Sequence, residues 1–364
     1  MSDEAARCEL AILGAGVVGC ALAGALGRRF GSVLVLEGAA REGTGVSSRN
    51  SGVVHAGLYY PPGSRKARSC VAGNAMLWSW AQFHGVGHRR TGKLVVATDP
   101  EQEAALEQLI ANAAASGAAL ERISLAQARA LEPSLPATIR AALWSPSSGI
   151  VDAHELVRSL LVDAEHAGVE FVFSAPVEGI EALAGGFGLT TPRGTVIAER
   201  VVNAAGLGAV PIANLLGLSR RLFLARGDYF RLRTSTRWRR LIYPVAVPGS
   251  ASLGIHLTLE LDGRCRLGPD LEWVEEPDDF SPERGEAKHG KFLAAAQRLL
   301  GPIAAEDLSY DGCGIRPKLV GPGEPAADFE IVEHPRGCWH LLGIESPGLT
   351  ASLALAQEVS GLLE

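Results

Sequence analysis

The chain opens on an apolar run, Cys8 to Leu13, that breaks at Gly14-Ala-Gly16-Val-Val-Gly19. It passes through a stretch of small residues, Cys20 to Leu26, into a second apolar run ending at Glu37. Short apolar runs bounded by turn residues read as buried strands, so the first forty residues predict strand, glycine turn, helix, strand. A polar segment punctuated by glycine, 43–63, follows with hardly any helical period. Apolar positions then recur at three and four from Arg65 to Phe83 (Ala67, Val71, Ala75, Leu77, Trp78), predicting a helix. Thr91 to Thr98 reads as a strand. Asp99-Pro-Glu supplies cap, first-turn proline and acid for a helix to about Ser116, and Ser124 to Leu131 is a short helix stopped by Pro133. Beyond Gly149 the pattern predicts a helix to Ala167 and strands at 170–174, 187–190 and 195–198. An apolar strand, Arg200 to Asn203, then runs into Gly206-Leu-Gly208. Residues 221–275 alternate, with prolines at strand ends, as antiparallel sheet with one buried face does. The acidic run Glu272 to Asp279 reads as a solvated loop and Gly285 to Leu300 as a helix. Two strands, Phe329 to Val332 and Trp339 to Ile344, precede a terminal helix.

These elements predict an α/β chain in which a Rossmann-like nucleotide-binding domain (1–83, 149–214 and 312–364) is interleaved with an α+β substrate domain (84–148 and 215–311). The substrate domain is built on a mostly antiparallel sheet. With 364 residues, 47% hydrophobic and 20% charged, the chain has ample material for two cores. A net charge of −6 leaves no basic field for nucleic acid. Six scattered cysteines without a C-x-x-C pair predict buried thiols rather than disulfides, and no metal site is expected. The acidic N-terminus is unlike a signal peptide, and no uninterrupted apolar run is long enough to span a bilayer. The expected location is cytoplasmic, with peripheral attachment to the inner membrane as the alternative. Glycine stands out, with 43 residues against roughly 25 at average usage.

Part of that excess lies in the first motif. Gly14 permits a tight turn, Gly16 lets the amides of Val17 and Val18 approach a pyrophosphate, and Gly19 lets helix pack on strand. Glu37, 23 residues past Gly14, is placed to accept ribose hydroxyls. This unit does not separate NAD from FAD. The polar loop Ser47-Ser48-Arg49-Asn50-Ser51-Gly52-Val53 does better, as does the closing Pro347-Gly348-Leu349-Thr350 at a helix start. Both favour a non-covalent FAD.

Asn50-Ser-Gly-Val-Val-His55, Ile255-His256-Leu-Thr, Gly314-Ile-Arg316-Pro-Lys318 and Glu345-Ser-Pro-Gly-Leu-Thr350 together resemble the L-2-hydroxyglutarate dehydrogenase/oxidase family of the D-amino-acid-oxidase-like FAD superfamily. The resemblance spans about residues 8–360 and is weakest through 81–148. Where the family carries a histidine-containing string before Asn50, this chain has Ser47-Ser48-Arg49, and Pro248 to Ser252 is insertion-like.

The resemblance implies oxidation of a 2-hydroxy acid, foremost L-2-hydroxyglutarate to 2-oxoglutarate, by hydride transfer to flavin N5. His55 and His256 would flank the reacting carbon, one of them as base. Arg316 would clamp the α-carboxylate. Lys318, two residues on, would hold a distal carboxylate, with Tyr59 and Tyr243 as hydrogen-bonding lining. Val177, Ala205, Gly206, Gly314 and Arg316 complete the expected cofactor set. An amino-acid or amine oxidase of the same superfamily and a non-catalytic flavoprotein subunit are the alternatives. Oxygen, a quinone and a partner flavoprotein all stay open as electron acceptor.

Overall fold

Glycine turns and apolar runs build two separately packed units. The computed structural model describes residues 5–233, 238–245 and 254–363. The first unit takes Met1–Ser48, Ala153–Phe223 and Pro317–Glu364, and the second Arg49–Asp152 and Leu224–Arg316. The interleaving expected from sequence is present, but its joints lie elsewhere. Residues 49–83, 149–152 and 312–316 belong to the second unit, and 215–223 to the first. The reason is pairing: Val53–Val54 and His88–Arg89 both hydrogen-bond to Gly149–Val151. Asn74 Nδ2 and Trp78 Nε1 of the helix Arg65–His84 also donate to the Ser147 carbonyl, at 3.0 and 3.2 Å. Periodicity shows which face of an element is apolar and not which neighbour covers it.

The first unit is built on an eight-stranded sheet. Its central strand, Ala6–Leu13, runs parallel to Gly194–Asn203 on one side and Val33–Leu36 on the other, so Leu13, Asn203 and Leu36 end side by side. The helix Val17–Gly27 is buried along nearly its whole length, which explains why its sequence has no polar stripe. In doubly wound sheets ligands bind beyond the carboxyl ends of such strands.

The second unit carries a nine-stranded sheet. Lys93–Ala97 pairs in parallel with Leu241–Pro244 and antiparallel with Ala141–Ser145. Leu257–Leu259, Cys265–Leu267 and Phe223–Leu232 continue it in antiparallel register. The helix expected over 285–300 is two helices, Pro282–Glu286 and His289–Leu300. Between them the Lys288 ammonium is drawn onto Asp228, Asp270 and Glu272. The acidic run is likewise not a free loop: Glu272–Val274 pairs with Leu224–Arg226, and Asp279 accepts from Arg226. All six cysteines are buried, and no disulfide joins them among the described residues. Residues 248–252 lie outside the described residues. Among the described residues no helix is long and apolar enough to cross a membrane.

Candidate active site

In the first unit, Gly14 ends the central strand at φ +101°, and a Cβ there would stand 2.8 Å from the Ala204 carbonyl oxygen. A Cβ on Gly19 would fall 1.8 Å from the carbonyl oxygen of Gly14. The helix starts at Val17 with Gly16 as N-cap, without a capping side chain and without an acid in its first turn. The Val17 amide donates to Ser47 Oγ at 3.0 Å. Unsatisfied first-turn amides and the helix dipole make such a terminus receptive to an anion. Glu37 is fixed at the end of the second strand, accepting from Ala15 N at 2.6 Å through Oε2 and from Ala39 N at 2.8 Å through Oε1. Each oxygen keeps a lone pair for a hydroxyl. A cradle that Cβ atoms would fill, a helix start whose N-cap glycine brings no side chain and an anchored acid fit the pyrophosphate and adenosine ribose of FAD.

Other expected cofactor residues also belong to this unit. Val18 is buried in the first helix. Ser48 Oγ donates to the Thr44 and Gly45 carbonyls, each at 2.9 Å. Ala205 N donates to Asn203 Oδ1 at 3.3 Å, Gly206 takes φ +59°, and Val177 and Ala205 both pack against the core of this unit. Pro347 is the N-cap of Gly348–Leu362 and offers no side-chain cap; Leu349 lies in its first turn and Thr350 is buried.

Lys318 also belongs to the first unit. Its Nζ donates to Glu345 Oε1 at 2.9 Å, both side chains nearly buried. An ammonium already neutralised by an internal carboxylate has little to offer a second one, and this speaks against its expected hold on a distal carboxylate.

In the second unit the segment 49–53 is pinned by its own polar groups. The Arg49 guanidinium lies 3.8 Å from the Phe280 ring centroid. Gly52 N donates to Asn50 Oδ1 at 2.8 Å, and Ser51 hydrogen-bonds Tyr229. Gly52 takes φ +63° and accepts from Val151 N, and a Cβ on Gly314 would stand 2.3 Å from the Arg49 carbonyl oxygen. Val53 then enters the strand that leads to His55.

Sheet register assembles the side chains suited to chemistry. Lys93 pairs with Leu241 and Val95 with Tyr243; since alternate residues share a face, Lys93 and Tyr243 point the same way. His256 stacks on Tyr243 with ring centroids 3.8 Å apart, and the Lys93 ammonium sits 4.0 Å from the Tyr243 centroid and 5.6 Å from that of Tyr59. His256 Nδ1 lies 2.8 Å from the Gly254 carbonyl oxygen, which can only accept, so the proton is on Nδ1 and Nε2 presents a lone pair. Burial pushes His256 down to about 3, helped by the charges of Lys93 and Arg316 and opposed by the bond to Gly254. His55 is held well below its ordinary range by burial, then by Lys93 and His256. Both imidazoles are therefore neutral at pH 7 and can accept a proton. Arg316 donates through Nη2 to the Asp270 carbonyl at 2.6 Å and has no carboxylate partner among the described residues.

Lys93 was missed by sequence reasoning. It is the first residue of an otherwise apolar strand, fully buried, and its Nζ has no hydrogen-bond partner among the described residues. The available signal was a lysine heading the run Leu94-Val-Val-Ala97, where a buried strand has no ordinary use for a charge. A second buried network was equally invisible. Arg226, fully buried, donates to Asp228 at 2.8 Å and to Asp279 at 3.1 Å, and Tyr310 donates to Asp228 at 3.0 Å.

Residues 9–362 match the family model described as FAD dependent oxidoreductase. The chain is 34% identical to the mitochondrial L-2-hydroxyglutarate dehydrogenase of Arabidopsis thaliana, over 97% of this chain and 83% of that protein. It is 32% identical to the mitochondrial L-2-hydroxyglutarate dehydrogenase of Pongo abelii, over 96% and 85%. Among solved structures, it is similar to the L-alpha-glycerophosphate oxidase of Mycoplasma pneumoniae with FAD bound (TM-score 0.88, 22% identity, 98% of this chain and 94% of that one). The glycine oxidase of Geobacillus kaustophilus is similar too (TM-score 0.84, 23% identity, 98% and 95%).

Proposed function

The chain belongs to the FAD-dependent oxidoreductase family and to its L-2-hydroxyglutarate dehydrogenase branch, and from that premise we propose that it oxidises L-2-hydroxyglutarate to 2-oxoglutarate. The observation that carries this reading is the His256 ring, buried and neutral, with its proton committed to Gly254 and within reach of the Arg316 charge. FAD supplies the two-electron acceptor when bound. The reaction releases two electrons and two protons from the carbinol, and the chain's own residues manage the hydroxyl proton and the carboxylate.

A neutral imidazole at His256, with His55 as its charge-coupled neighbour, is suited to take the hydroxyl proton. Its low proton affinity in the free protein rises once an anionic substrate lies beside it, because an opposite charge favours the imidazolium. Arg316 offers a planar fork to the α-carboxylate, each charge-assisted bond contributing about 1.5–3 kcal/mol. Arg49, Asn50, Ser51, Gly52, Val53 and Gly314 belong to the same unit as these side chains, and their proposed part is to bind the flavin. The electron acceptor that reoxidises the flavin is open among oxygen, a quinone and a flavoprotein.

The test is a panel of hydroxy and amino acids added without oxygen to the purified yellow protein. Bleaching of the flavin absorbance by L-2-hydroxyglutarate, and not by glycine or glycerol 3-phosphate, is the expected result. Bleaching by an amino acid and by no hydroxy acid would overturn the reading.

A further inference from the structure

We infer that the buried ammonium of Lys93, with the hydroxyls of Tyr59 and Tyr243, is the seat of the substrate's second carboxylate and makes the enzyme selective for dicarboxylates. The inference deepens the proposed function and rests on it.

Three polar groups carry it. Lys93 Nζ, Tyr59 Oη and Tyr243 Oη are all buried and all without a hydrogen-bond partner among the described residues. Each such group costs free energy unless something pairs with it, and the unpaired ammonium lies 4.0 and 5.6 Å from the ring centroids of the two tyrosines whose hydroxyls are also unpaired. Chemically they form a donor set: one cation and two hydroxyls, all able to donate to a carboxylate's two oxygens. The geometry is fixed by the sheet, since Lys93 and Tyr243 share a face through the register of their strands and His256 stacks on the same tyrosine. His256 thus feels two cations, Arg316 and Lys93. A substrate whose reacting carbon carries one carboxylate directly and a second on a short chain matches a base that feels two separate positive groups. Lys318 is excluded from this role by its bond to Glu345.

Burial draws the Lys93 proton affinity down to about 7, with Cys70 acting weakly the other way. The titratable and charged groups facing it are Tyr59, Tyr243, His55, His256 and Cys70, the tyrosines and the thiol held protonated by burial. At pH 8 the amine is therefore mostly neutral, and a carboxylate that pairs with it draws in a proton.

The experiment compares wild type with Lys93→Met, both FAD-loaded and oxidised, by calorimetric titration at pH 8 with 2-oxoglutarate and with 2-oxobutyrate. Each titration is run in two buffers of different ionisation enthalpy. Wild type is expected to take up close to one proton with 2-oxoglutarate and fewer with 2-oxobutyrate. Lys93→Met should lose roughly 10- to 100-fold in affinity for 2-oxoglutarate, change less than about threefold for 2-oxobutyrate, and lose the extra proton uptake. Equal losses for the two ligands, or unchanged 2-oxoglutarate binding, would overturn the inference. So would a variant that binds both normally and is only slow with every hydroxy acid, which would make Lys93 a base. Wild type that bleaches with L-2-hydroxyglutarate while Lys93→Met keeps the wild-type preference for 2-oxoglutarate over 2-oxobutyrate refutes this inference alone. Wild type that neither bleaches nor binds refutes the proposed function with it.

Discussion

A lysine kept buried with no hydrogen-bond partner among the described residues should destabilise the protein that keeps it, and Lys93→Met measures by how much. The folded chain holds the Lys93 proton only below about 7, against 10.5 for the free side chain. Between those values the unfolded state binds more protons than the folded one, so stability rises with pH across that window and is fully restored above 10.5. At 1.36 kcal/mol per pH unit the cost is ~4 kcal/mol at pH 7 and falls to ~1 kcal/mol by pH 10. Methionine keeps the stem's volume and removes the charge, at the loss of the contact with the Tyr243 ring. Lys93→Met should therefore be more stable than wild type at pH 7 by ~2–4 kcal/mol, with the gap closing toward pH 10. Matched thermal scans of the FAD-loaded proteins at pH 7, 8.5 and 10 read this directly, and the variant-minus-wild-type difference cancels the pH dependence of the buried tyrosines. Saturating 2-oxoglutarate should narrow the gap at pH 7, because it binds wild type more tightly. A variant less stable than wild type at pH 7, or a gap independent of pH, would refute the reasoning.

Gly19→Ala places a Cβ 1.8 Å from the Gly14 carbonyl oxygen; backbone must move, and the expected cost is ~3 kcal/mol with loss of FAD, read as the ratio of 450 to 280 nm absorbance. Gly45→Ala, with nothing within 4 Å of the new methyl, is the matched control and should stay yellow. Arg226→Met strips Asp228 of its main partner inside the second unit and should destabilise by ~3 kcal/mol or more in denaturant unfolding, although Lys288 remains on the same carboxylate. Because His256 is held near 3 in the free protein, any acid limb that it contributes to kcat/KM should lie well below 6.5; a limb at 6.5 that disappears in His256→Gln would contradict its burial.

The residues proposed for the dinucleotide cradle stand out in the sequence because every requirement there is local. Gly14 needs a positive φ, Gly19 a missing Cβ, and Glu37 a fixed distance along one strand–helix–strand unit, and all three leave a mark within thirty residues. His55, His256 and Arg316 were legible only as a resemblance, since nothing in their immediate neighbourhoods says that they belong to one unit. Tertiary structure decided the rest. Lys93 and Tyr243 are 150 positions apart and meet because two strands pair in one register out of many, and a slip of one residue would turn each to the other face. Lys318 looked like a neighbour of Arg316 in function because it is one in sequence, yet its ammonium is taken by Glu345. Whether a buried charge is spent on an internal partner or kept for a ligand depends on what packs around it, and periodicity carries no record of that.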